Sequence, residues 1–383
     1  MADPLSDTLG GMLSVTTGRP RPFNLTSTRP DWAHQLVQGK PVSNVPGLLA
    51  SLFNLCGQAH RLCAGLAIQA ARGEPSSFSD EGRRLLQTET LREHLRRITL
   101  DWPLQLAASA ESRARFQDAA HKALRAFPPG TGLPAAPDAL ADWLSEHLLG
   151  GPPGEWLAHW EQAPHAWMRR WCASTPAWLP ELLEGAKGVA DTPMPAPHVL
   201  RVHACPRELR LLAHQLRSSP AFNRQPHWQG QCAETGPWGR LNQPAPEQLG
   251  TPWLRLGARL AELVRLSLPD APQRSGRHWL QAGSVCLGPG EGLGWVEMAR
   301  GLLVHFIRLD GSGAEARAQA CRVLAPTEWN FHPQGAVAQV LETLPATLSA
   351  PLEHRIRALM TAFDPCMRFE LLAAHGALEK THA

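Results

Sequence analysis

The sequence lacks closely spaced cysteine pairs. Its eight cysteines are scattered, and none forms a Cys-x-x-Cys motif; they are Cys56, Cys63, Cys172, Cys205, Cys232, Cys286, Cys321 and Cys366. This spacing fits neither a disulfide framework nor a zinc ribbon. We expect most of these cysteines to be small buried apolar residues. Any cysteine with a chemical role must meet its partners through the fold.

Long apolar runs and a leader sequence are also missing. No run of about eighteen apolar residues occurs, so no transmembrane helix is expected. The start of the chain has neither a basic region leading into a long apolar stretch nor a twin-arginine pair, which predicts a cytoplasmic protein. The net charge is only +3, and no Lys/Arg-rich tract alternates with aromatic residues. The composition therefore argues against a nucleic-acid-binding role.

Two common motifs of nucleotide binding and hydrolysis are absent. The glycine-rich stretch GPGEGLG at 288–294 lacks the Lys-Ser/Thr ending of a P-loop, and it does not stand between a clear strand and a long helix. No Gly-x-Ser-x-Gly motif occurs. We therefore expect no P-loop nucleotide site and no nucleophile elbow.

What is present is typical of a helix-rich globular protein with many loops. Hydrophobic residues make up 43% of the chain, enough for a sizeable core, and there are 14 tryptophans but no tyrosine, with 35 prolines and 32 glycines. Apolar residues at helical spacing predict one long helix over 45–72. The apolar stretch GLLVHFIRL at 301–309 and the following Asp310-Gly311 predict a hairpin, and a last helix is expected near 351–363. The expected fold class is α+β, dominated by helices.

These patterns divide the chain into an N-terminal segment and one domain. Residues 1–34 are rich in Pro, Thr, Ser and Gly, and are expected to form an irregular lead-in. Residues 35–383 are expected to form a single domain. Within it we predict a helical part over 46–270, a β-containing part over 278–330, and a C-terminal helix with an Asp-Pro-Cys segment over 335–383.

Two cysteine-containing stretches are candidates for metal chemistry. Cys56 and His60 are four residues apart, which places them on one face of a helix, and Cys63 follows three residues later. Thiolate and imidazole suit a soft or borderline transition metal, although a cysteine and a histidine also meet by chance on buried helices. Near the other end, Pro365 restricts the backbone of Asp364 and so fixes the direction of Cys366, but ordinary turns share this pattern.

Two further stretches carry polar side chains next to apolar strands. Arg300 stands between a Trp-containing stretch and an apolar strand, so it needs an anionic partner. Glu297, three residues earlier, is the default partner. Pro326 and Thr327 lie in the segment APTEWN, which reads as a turn that presents a hydroxyl group and backbone amides, or as an ordinary turn.

In this order, the four stretches and one further segment resemble the large subunit of nickel–iron hydrogenases. That family carries R-x-C-G-x-C-x-x-x-H, G-P-L-A-R, E-A-P-R-G-x-L, A-P-T-x-W-N and D-P-C-x-x-C-x-x-H in sequence. The similar stretches here are 38–62, ETGPWGR at 234–240, EMARGLLVH at 297–305, LAPTEWNFHP at 324–333 and FDPC at 363–366. The resemblance implies a truncated form of the large-subunit fold, with a central helical bundle and a small antiparallel β element.

The departures from the family pattern concern nickel. In the family, four cysteines hold the nickel, and two of them also bridge to the iron. Here Cys56 and Cys366 stand at two of these positions, while Phe53 and Phe369 occupy the other two, and Leu372 stands at the position of the family's last histidine. Because phenyl rings offer no thiolate, the resemblance implies that nickel binding is unlikely, and we expect the chain not to be an enzyme.

The surroundings of the iron are kept. The resemblance places Arg300, Pro326 and Thr327 where the family contacts the two cyanide ligands of the iron, and His60 is also retained. An arginine donating to a cyanide nitrogen makes a charge-assisted hydrogen bond. By the same resemblance, Cys56 and Cys366 would hold an iron ion that carries cyanide and carbonyl ligands, with Cys63 as a possible further ligand.

The resemblance therefore implies a maturation scaffold of the HupK/HoxV type. Such a protein carries or assembles the iron–dicyanide–carbonyl part of the nickel–iron cofactor. Its expected partners are the complex that builds this unit, a small maturation chaperone and the apo form of the hydrogenase large subunit. The alternative is a metal-free interaction protein that mimics the large subunit during assembly. If the scaffold reading is right, Cys56 and Cys366 must lie close together.

Overall fold

The protein is described from a computed structural model, which describes residues 10–75, 78–126, 137–219, 221–241, 250–268 and 279–373. The helices are α1 Trp32–Val37, α2 Val45–Leu52, α3 Gly57–Ala71, α4 Asp80–Arg96, α5 Trp102–Leu106, α6 Ala110–Arg125, α7 Pro137–Leu144, α8 Pro153–Gln162, α9 Pro164–Ser174, α10 Trp178–Ala190, α11 Pro206–Ser218, α12 Pro237–Leu241, α13 Pro252–Ser267, α14 Pro326–Asn330, α15 Ala336–Glu342 and α16 Ala350–Phe363. The strands are β1 Met12–Val15, β2 Leu25–Ser27, β3 Ala282–Gly288, β4 Glu291–Met298, β5 Gly301–Asp310, β6 Arg317–Leu324 and β7 Arg368–Leu371. The predicted helix-dominated α+β class is confirmed.

Helix α13 is the centre of the helical bundle. Every one of its residues is buried, and it contacts α4, α8, α12 and α16. Thr251 begins the helix, because its hydroxyl accepts a hydrogen bond from the N–H of Leu254 at 3.2 Å. Apolar residues on all sides suit a helix surrounded by others. Its three arginines and its glutamate are buried as well, so they require charged partners inside the protein.

The predicted long helix over 45–72 is broken in the middle. Helix α2 ends at Leu52, and Phe53 takes a non-helical backbone conformation with ψ 55°. A short 3₁₀ turn follows before α3 begins at Gly57. A Cβ atom at Gly57 would lie 2.8 Å from the carbonyl oxygen of Ala50, so the two segments approach closely only because this residue is glycine. The break makes Cys56 the residue that precedes the first turn of α3.

The predicted β-containing part is a four-stranded antiparallel meander in the order β3–β4–β5–β6. Helix α3 packs directly on it. A Cβ atom at Gly292 would lie 2.1 Å from the Ala67 carbonyl oxygen, and one at Gly294 would lie 2.3 Å from the Cys63 carbonyl oxygen. Two glycines of the stretch at 288–294 therefore allow a helix to touch the sheet backbone. The chain turns after Asp310, the last residue of β5, and Gly311 takes φ 79°.

The N-terminal segment is more ordered than the sequence suggested. Strands β1 and β2 form an antiparallel pair, so the stretch expected to be an irregular lead-in contains two strands; residues 1–9 of it lie outside the described residues. Strand β1 also pairs in parallel with β7, and Leu13 stands opposite Phe369. This small sheet ties the N-terminal segment to the Asp-Pro-Cys segment at the C-terminal end of the fold.

No helix within the described ranges combines the length and the apolar character that crossing a bilayer requires.

Candidate functional site: a cysteine–arginine pocket

Two sequence-distant cysteines face one pocket. Cys56 lies before α3 and is 8% exposed. Cys366 follows α16, where Asp364 ends the helix in a left-handed conformation with φ 52°. Burial raises the pKa of the Cys56 thiol to about 12; the Arg300 guanidinium opposes this shift, and a charge on Cys366 adds to it. Cys366 is therefore near enough for its charge to act on the Cys56 thiol.

Cys366 is held by a hydroxyl group and a guanidinium group. Its sulfur lies 3.0 Å from Oγ1 of Thr327 and accepts a hydrogen bond from Nη1 of Arg29 at 3.3 Å. The same nitrogen of Arg29 pairs with Glu328 at 3.2 Å, and the guanidinium lies 5.5 Å from the centre of the Phe53 ring. These contacts fix the position of the Cys366 sulfur.

Arg300 is the central cation of the pocket. It is 2% exposed and pairs with Glu93 and with Asp364, whose Oδ2 lies 3.2 Å from Nε. The expected partner Glu297 was the wrong choice, because Glu297 instead pairs with His203 at 3.3 Å. Among the described residues, none accepts a hydrogen bond from the buried Nη1 of Arg300. This leaves one strong donor free for a ligand.

A network of buried charges holds Arg300 in place. Arg97 lies 3.0 Å from both carboxylates, Glu93 and Asp364, and Arg259 lies 3.1 Å from Asp364. Burial alone would raise the pKa of each carboxyl, but Arg300 and its neighbouring arginines keep the pKa of Glu93 at about 2 and that of Asp364 at about 2. Both residues are therefore carboxylates at neutral pH.

Pro326 and Thr327 stand at the start of the short helix α14. Asn330, at its end, exchanges two hydrogen bonds of 2.9 Å with the backbone of Thr235. The hydroxyl of Thr235 in turn accepts from the N–H of Leu302 at 2.9 Å. These bonds join the 234–240 segment, the APTEWN turn and the strand that follows Arg300. They explain how three motifs far apart in sequence reach one place.

His60 and Cys63 lie on the opposite, uncharged side. Nδ1 of His60 is 3.0 Å from Nε2 of His305, and the Phe53 ring stacks on His60 with ring centres 4.0 Å apart. The Cys63 sulfur donates to the Gly294 carbonyl at 3.3 Å, and burial raises its pKa well above the ordinary value. Cys63 thus points into the contact between α3 and the sheet.

A cavity of about 410 Å³ adjoins the pocket, and Arg29, Phe53, Thr327 and Glu328 line it. Its volume is within the range of small-molecule sites, roughly 300–1,000 Å³. Three lining residues touch Cys366 or its cationic neighbour. The cavity therefore borders the groups that hold Cys366.

Sequence reasoning missed three charged residues of this site. Arg29 lies in the expected irregular segment, where only the charged stretch Arg-Pro-Asp-Trp signalled a structural role. Glu89 and Glu93 lie on α4, and nothing in its sequence separates them from its exposed acidic residues. The Glu89 carboxylate accepts hydrogen bonds from the N–H groups of Gln58 at 2.7 Å and Ala59 at 2.9 Å, and so caps the helix that begins beside Cys56.

The chain is similar in sequence to curated proteins of nearly the same length. The chain is 38% identical over 363 residues to the hydrogenase expression/formation protein HoxV of Cupriavidus necator, covering 94% of this chain and 95% of that protein. It is 30% identical to the hydrogenase expression/formation protein HupK of Rhizobium leguminosarum bv. viciae, covering 97% of each chain. It is 29% identical to HupK of Bradyrhizobium diazoefficiens, covering 88% of each. No protein-family model matches the chain.

Solved structures share the fold at low sequence identity. A chain of an NAD+-reducing NiFe hydrogenase in its H2-reduced state superposes with a TM-score of 0.53 and 15% identity, over 89% of this chain and 91% of that one. A NiFeSe hydrogenase from Desulfovibrio vulgaris Hildenborough gives a TM-score of 0.51 and 14% identity, over 89% and 92%. The expected hydrogenase-like fold is therefore confirmed. With the near full-length identity to HoxV and HupK, this places the chain in the HoxV/HupK family of hydrogenase expression/formation proteins.

Proposed function

We propose that this chain holds the iron–dicyanide–carbonyl unit while the nickel–iron cofactor is assembled, and then passes it to a hydrogenase large subunit. One observation supports the proposal most directly: the charges of Arg300 and Cys366 both act on the Cys56 thiol, and the buried Nη1 of Arg300 has no acceptor among the described residues. Thiolates are soft ligands that suit iron. A free guanidinium N–H suits the nitrogen of an iron-bound cyanide, since the cyanide carries negative charge.

The charges of the pocket favour an anionic cargo over a bare cation. Arg29 and Arg300 both face the sulfur atoms, and their charges act in a pocket from which water is largely excluded. Charge–charge interactions are stronger in such surroundings than in bulk water. An iron ion with two cyanides and two thiolates brings negative charge to these guanidinium groups, which a free divalent ion does not.

The Cys56 thiol supplies a physical reason for reversible binding. Because its pKa is about 12, Cys56 is protonated at neutral pH and must lose a proton when it binds iron. Metal affinity is lowered by the free energy of that deprotonation. Reprotonation of Cys56 favours release, which suits a carrier that must hand over its cargo.

We also propose that the chain neither binds nickel nor turns over hydrogen. Phe53 fills one lost cysteine position, and its ring is stacked on His60. Phe369 fills the other and lies on β7. Two sulfur ligands remain where the family uses four, so a tetrathiolate nickel site has too few ligands.

The proposed partners follow from the cargo and the fold. The donor is the complex that builds the iron–cyanide–carbonyl unit, a small maturation chaperone assists the exchange, and the acceptor is the apo large subunit, all in the cytoplasm. The relatives are named for hydrogenase expression and formation, which supports a role in assembly. A hydrogenase-like fold allows the chain to present a similar surface to the complex that loads the large subunit.

Infrared spectroscopy tests the proposal directly. The protein is purified without oxygen from cells that make the maturation machinery, and metal-bound carbonyl and cyanide stretches are recorded. We expect one carbonyl band and two cyanide bands in the unmodified chain, and none in Cys56→Ala or Cys366→Ala. Cys172→Ala and Cys205→Ala are matched controls, because Cys172 is buried and Cys205 half-buried. Both controls should keep the bands.

An infrared spectrum without carbonyl and cyanide bands would favour the alternative of a metal-free interaction protein, provided that the same cells produce active hydrogenase. The interaction-protein hypothesis predicts that Cys56→Ala and Cys366→Ala still support hydrogenase maturation in a strain lacking the native chain. The scaffold proposal predicts that maturation fails in both variants and proceeds in both controls.

A further inference from the structure

A second group of side chains that can bind a metal ion lies at a tight turn outside the cysteine–arginine pocket. Trp228 and Gln231 exchange backbone hydrogen bonds of 2.8 and 3.0 Å. The two residues between them have positive φ angles, 52° at Gln229 and 76° at Gly230, which is the pattern of a type I′ turn. In such a hairpin the next residues outward stand directly opposite each other. These residues are His227 and Cys232.

A third side chain approaches this pair from the end of α14. His332 is 1% exposed, and its Nδ1 lies 3.1 Å from the Cys232 sulfur. The rings of His227 and His332 meet edge to face, with centres 4.4 Å apart. One ligand atom from each of the three residues lies within 4.8 Å of the others. A single metal ion can be reached by ligand atoms at such separations.

Backbone groups orient the two imidazoles. Nδ1 of His227 donates to the Gln225 carbonyl at 3.2 Å, which leaves its Nε2 available as a ligand. Nε2 of His332 is buried without a hydrogen bond from any described residue. Nδ1 of His332 also accepts from the N–H of Gln334 at 3.0 Å, a bond that a metal ion at this nitrogen would replace.

We propose that His227, Cys232 and His332 form a binding site for one divalent first-row transition metal ion of borderline softness, such as zinc. A thiolate and two imidazoles are a ligand set of this class. Three protein ligands leave a fourth position open. His227 and Cys232 line a cavity of about 510 Å³, so the open position faces space that a water molecule or a small ligand can enter. The inference does not depend on the proposed iron carrier.

Cobalt(II) serves as the probe because its spectrum reports on its ligands. The full chain is purified from cells that lack the maturation machinery, treated with a chelator, and titrated with cobalt(II). We expect one equivalent to produce a near-ultraviolet thiolate-to-cobalt band and visible bands of four-coordinate cobalt, both abolished by one equivalent of zinc. Cys232→Ser should remove the thiolate band, and His227→Gln should weaken cobalt binding at least tenfold.

Three controls separate this site from the other cysteines. Cys205→Ser is a matched control, since Cys205 is also half-buried, and it should leave the titration unchanged. Cys56→Ala and Cys366→Ala should leave it unchanged as well. His227 is half-buried on a turn, so His227→Gln tests the site even if Cys232→Ser unfolds. The absence of a thiolate band in the unmodified chain, or its persistence in Cys232→Ser, would overturn the proposal, and so would its loss in Cys56→Ala.

Discussion

The two sides of the cysteine–arginine pocket differ in charge. On one side, Arg300, Glu93 and Asp364 form buried ion pairs. On the other side, His60 and His305 bond to each other and carry no charge at neutral pH, because burial lowers the pKa of His305 to about 3 and that of His60 well below its ordinary value. The pocket thus has a charged wall and a neutral wall.

The difference in charge between the two sides agrees with the resemblance, which keeps residues around the iron and loses ligands of the nickel. The charged wall includes Arg300, which the resemblance to hydrogenase large subunits aligns with their cyanide-contacting arginine. The neutral wall includes Phe53, which the same resemblance aligns with a nickel-binding cysteine of hydrogenase large subunits. A stacked phenyl–imidazole pair offers no charge and no sulfur to a cation. The contrast predicts that the two walls respond differently to substitution and to pH.

The largest expected effect comes from removing the central cation. In Arg300→Met, Glu93 and Asp364 lose their shared partner in a buried setting, and we expect the free energy of unfolding to fall by about 3–5 kcal/mol. Urea unfolding at pH 7 measures this loss. Arg217→Met is the control, because the Arg217 side chain is 45% exposed in its ion pair with Glu291, and a solvent-screened pair of this kind should contribute about 1 kcal/mol or less. Equal losses in the two variants would contradict the picture of a charged wall.

The charged wall should also control stability in acid. The pKa values of Glu93 and Asp364 are each lowered to about 2, so their contribution is complete above the unfolded-state pKa values and is lost as the pH falls from about 4.5 towards 2. We expect the coupled pair to account for about 3 kcal/mol over this range. Urea unfolding at successive pH values gives the slope.

Asp364→Asn should flatten this slope, although the variant is less stable at neutral pH. Asp80→Asn serves as the control, because the Asp80 side chain is almost fully exposed and its slope should match that of the unmodified chain. A slope in Asp364→Asn as steep as in the unmodified protein would show that other carboxylates cause the acid sensitivity.

The neutral wall should lose stability at higher pH than the charged wall does. A histidine whose folded-state pKa is lowered binds its proton more tightly in the unfolded chain, so stability falls as the pH drops below about 6.5. Between pH 6.5 and pH 5, His305 alone should account for about 2 kcal/mol. His305→Gln keeps a polar group near His60 and should flatten stability in this range. His214 is exposed, and His214→Gln should leave the pH dependence of stability unchanged. An effect in that variant would show that groups other than His305 cause the pH dependence.

The smallest expected effect concerns the hydroxyl that holds Cys366. Thr327→Val keeps the shape of the side chain but removes the contact of 3.0 Å between Oγ1 and the sulfur. We expect a loss of about 1 kcal/mol in the free energy of unfolding, as for a single hydrogen bond. If the chain carries the proposed cargo, the cyanide bands should also shift in this variant. Unchanged stability together with unchanged bands would show that the hydroxyl does not bond to Cys366 or its ligand.

Much of the secondary structure could be predicted from the sequence because it depends on local patterns. The sequence predicted the last helix, the β part between 278 and 330 and the hairpin turn at Asp310-Gly311, since apolar periodicity and turn residues report on neighbours along the chain. It did not predict the break at Phe53, because Leu, Ala and Cys continue at helical spacing across it. The break depends on the close contact between Gly57 and Ala50, which is a property of packing.

Only some residues of the candidate site could be identified from the sequence. The resemblance supplied Arg300, Pro326 and Thr327, and the structure brings Arg300 and Thr327 to the pocket of Cys56 and Cys366. It also supplied His60, which lies on the neutral wall. Arg29, Glu89 and Glu93 were not identified. The group formed by His227, Cys232 and His332 was missed as well, since a turn and a helix end separated by about one hundred positions have no common sequence signal.

The sequence by itself determined which side chains are available and, through local patterns, most of the helices and strands. The tertiary structure alone decided which charges neutralise each other. Arg300 pairs with Glu93 and Asp364 rather than with Glu297. The physical reason is that a buried charge must find its partner among the groups that surround it in space, and these groups come from whichever parts of the chain the packed core brings together.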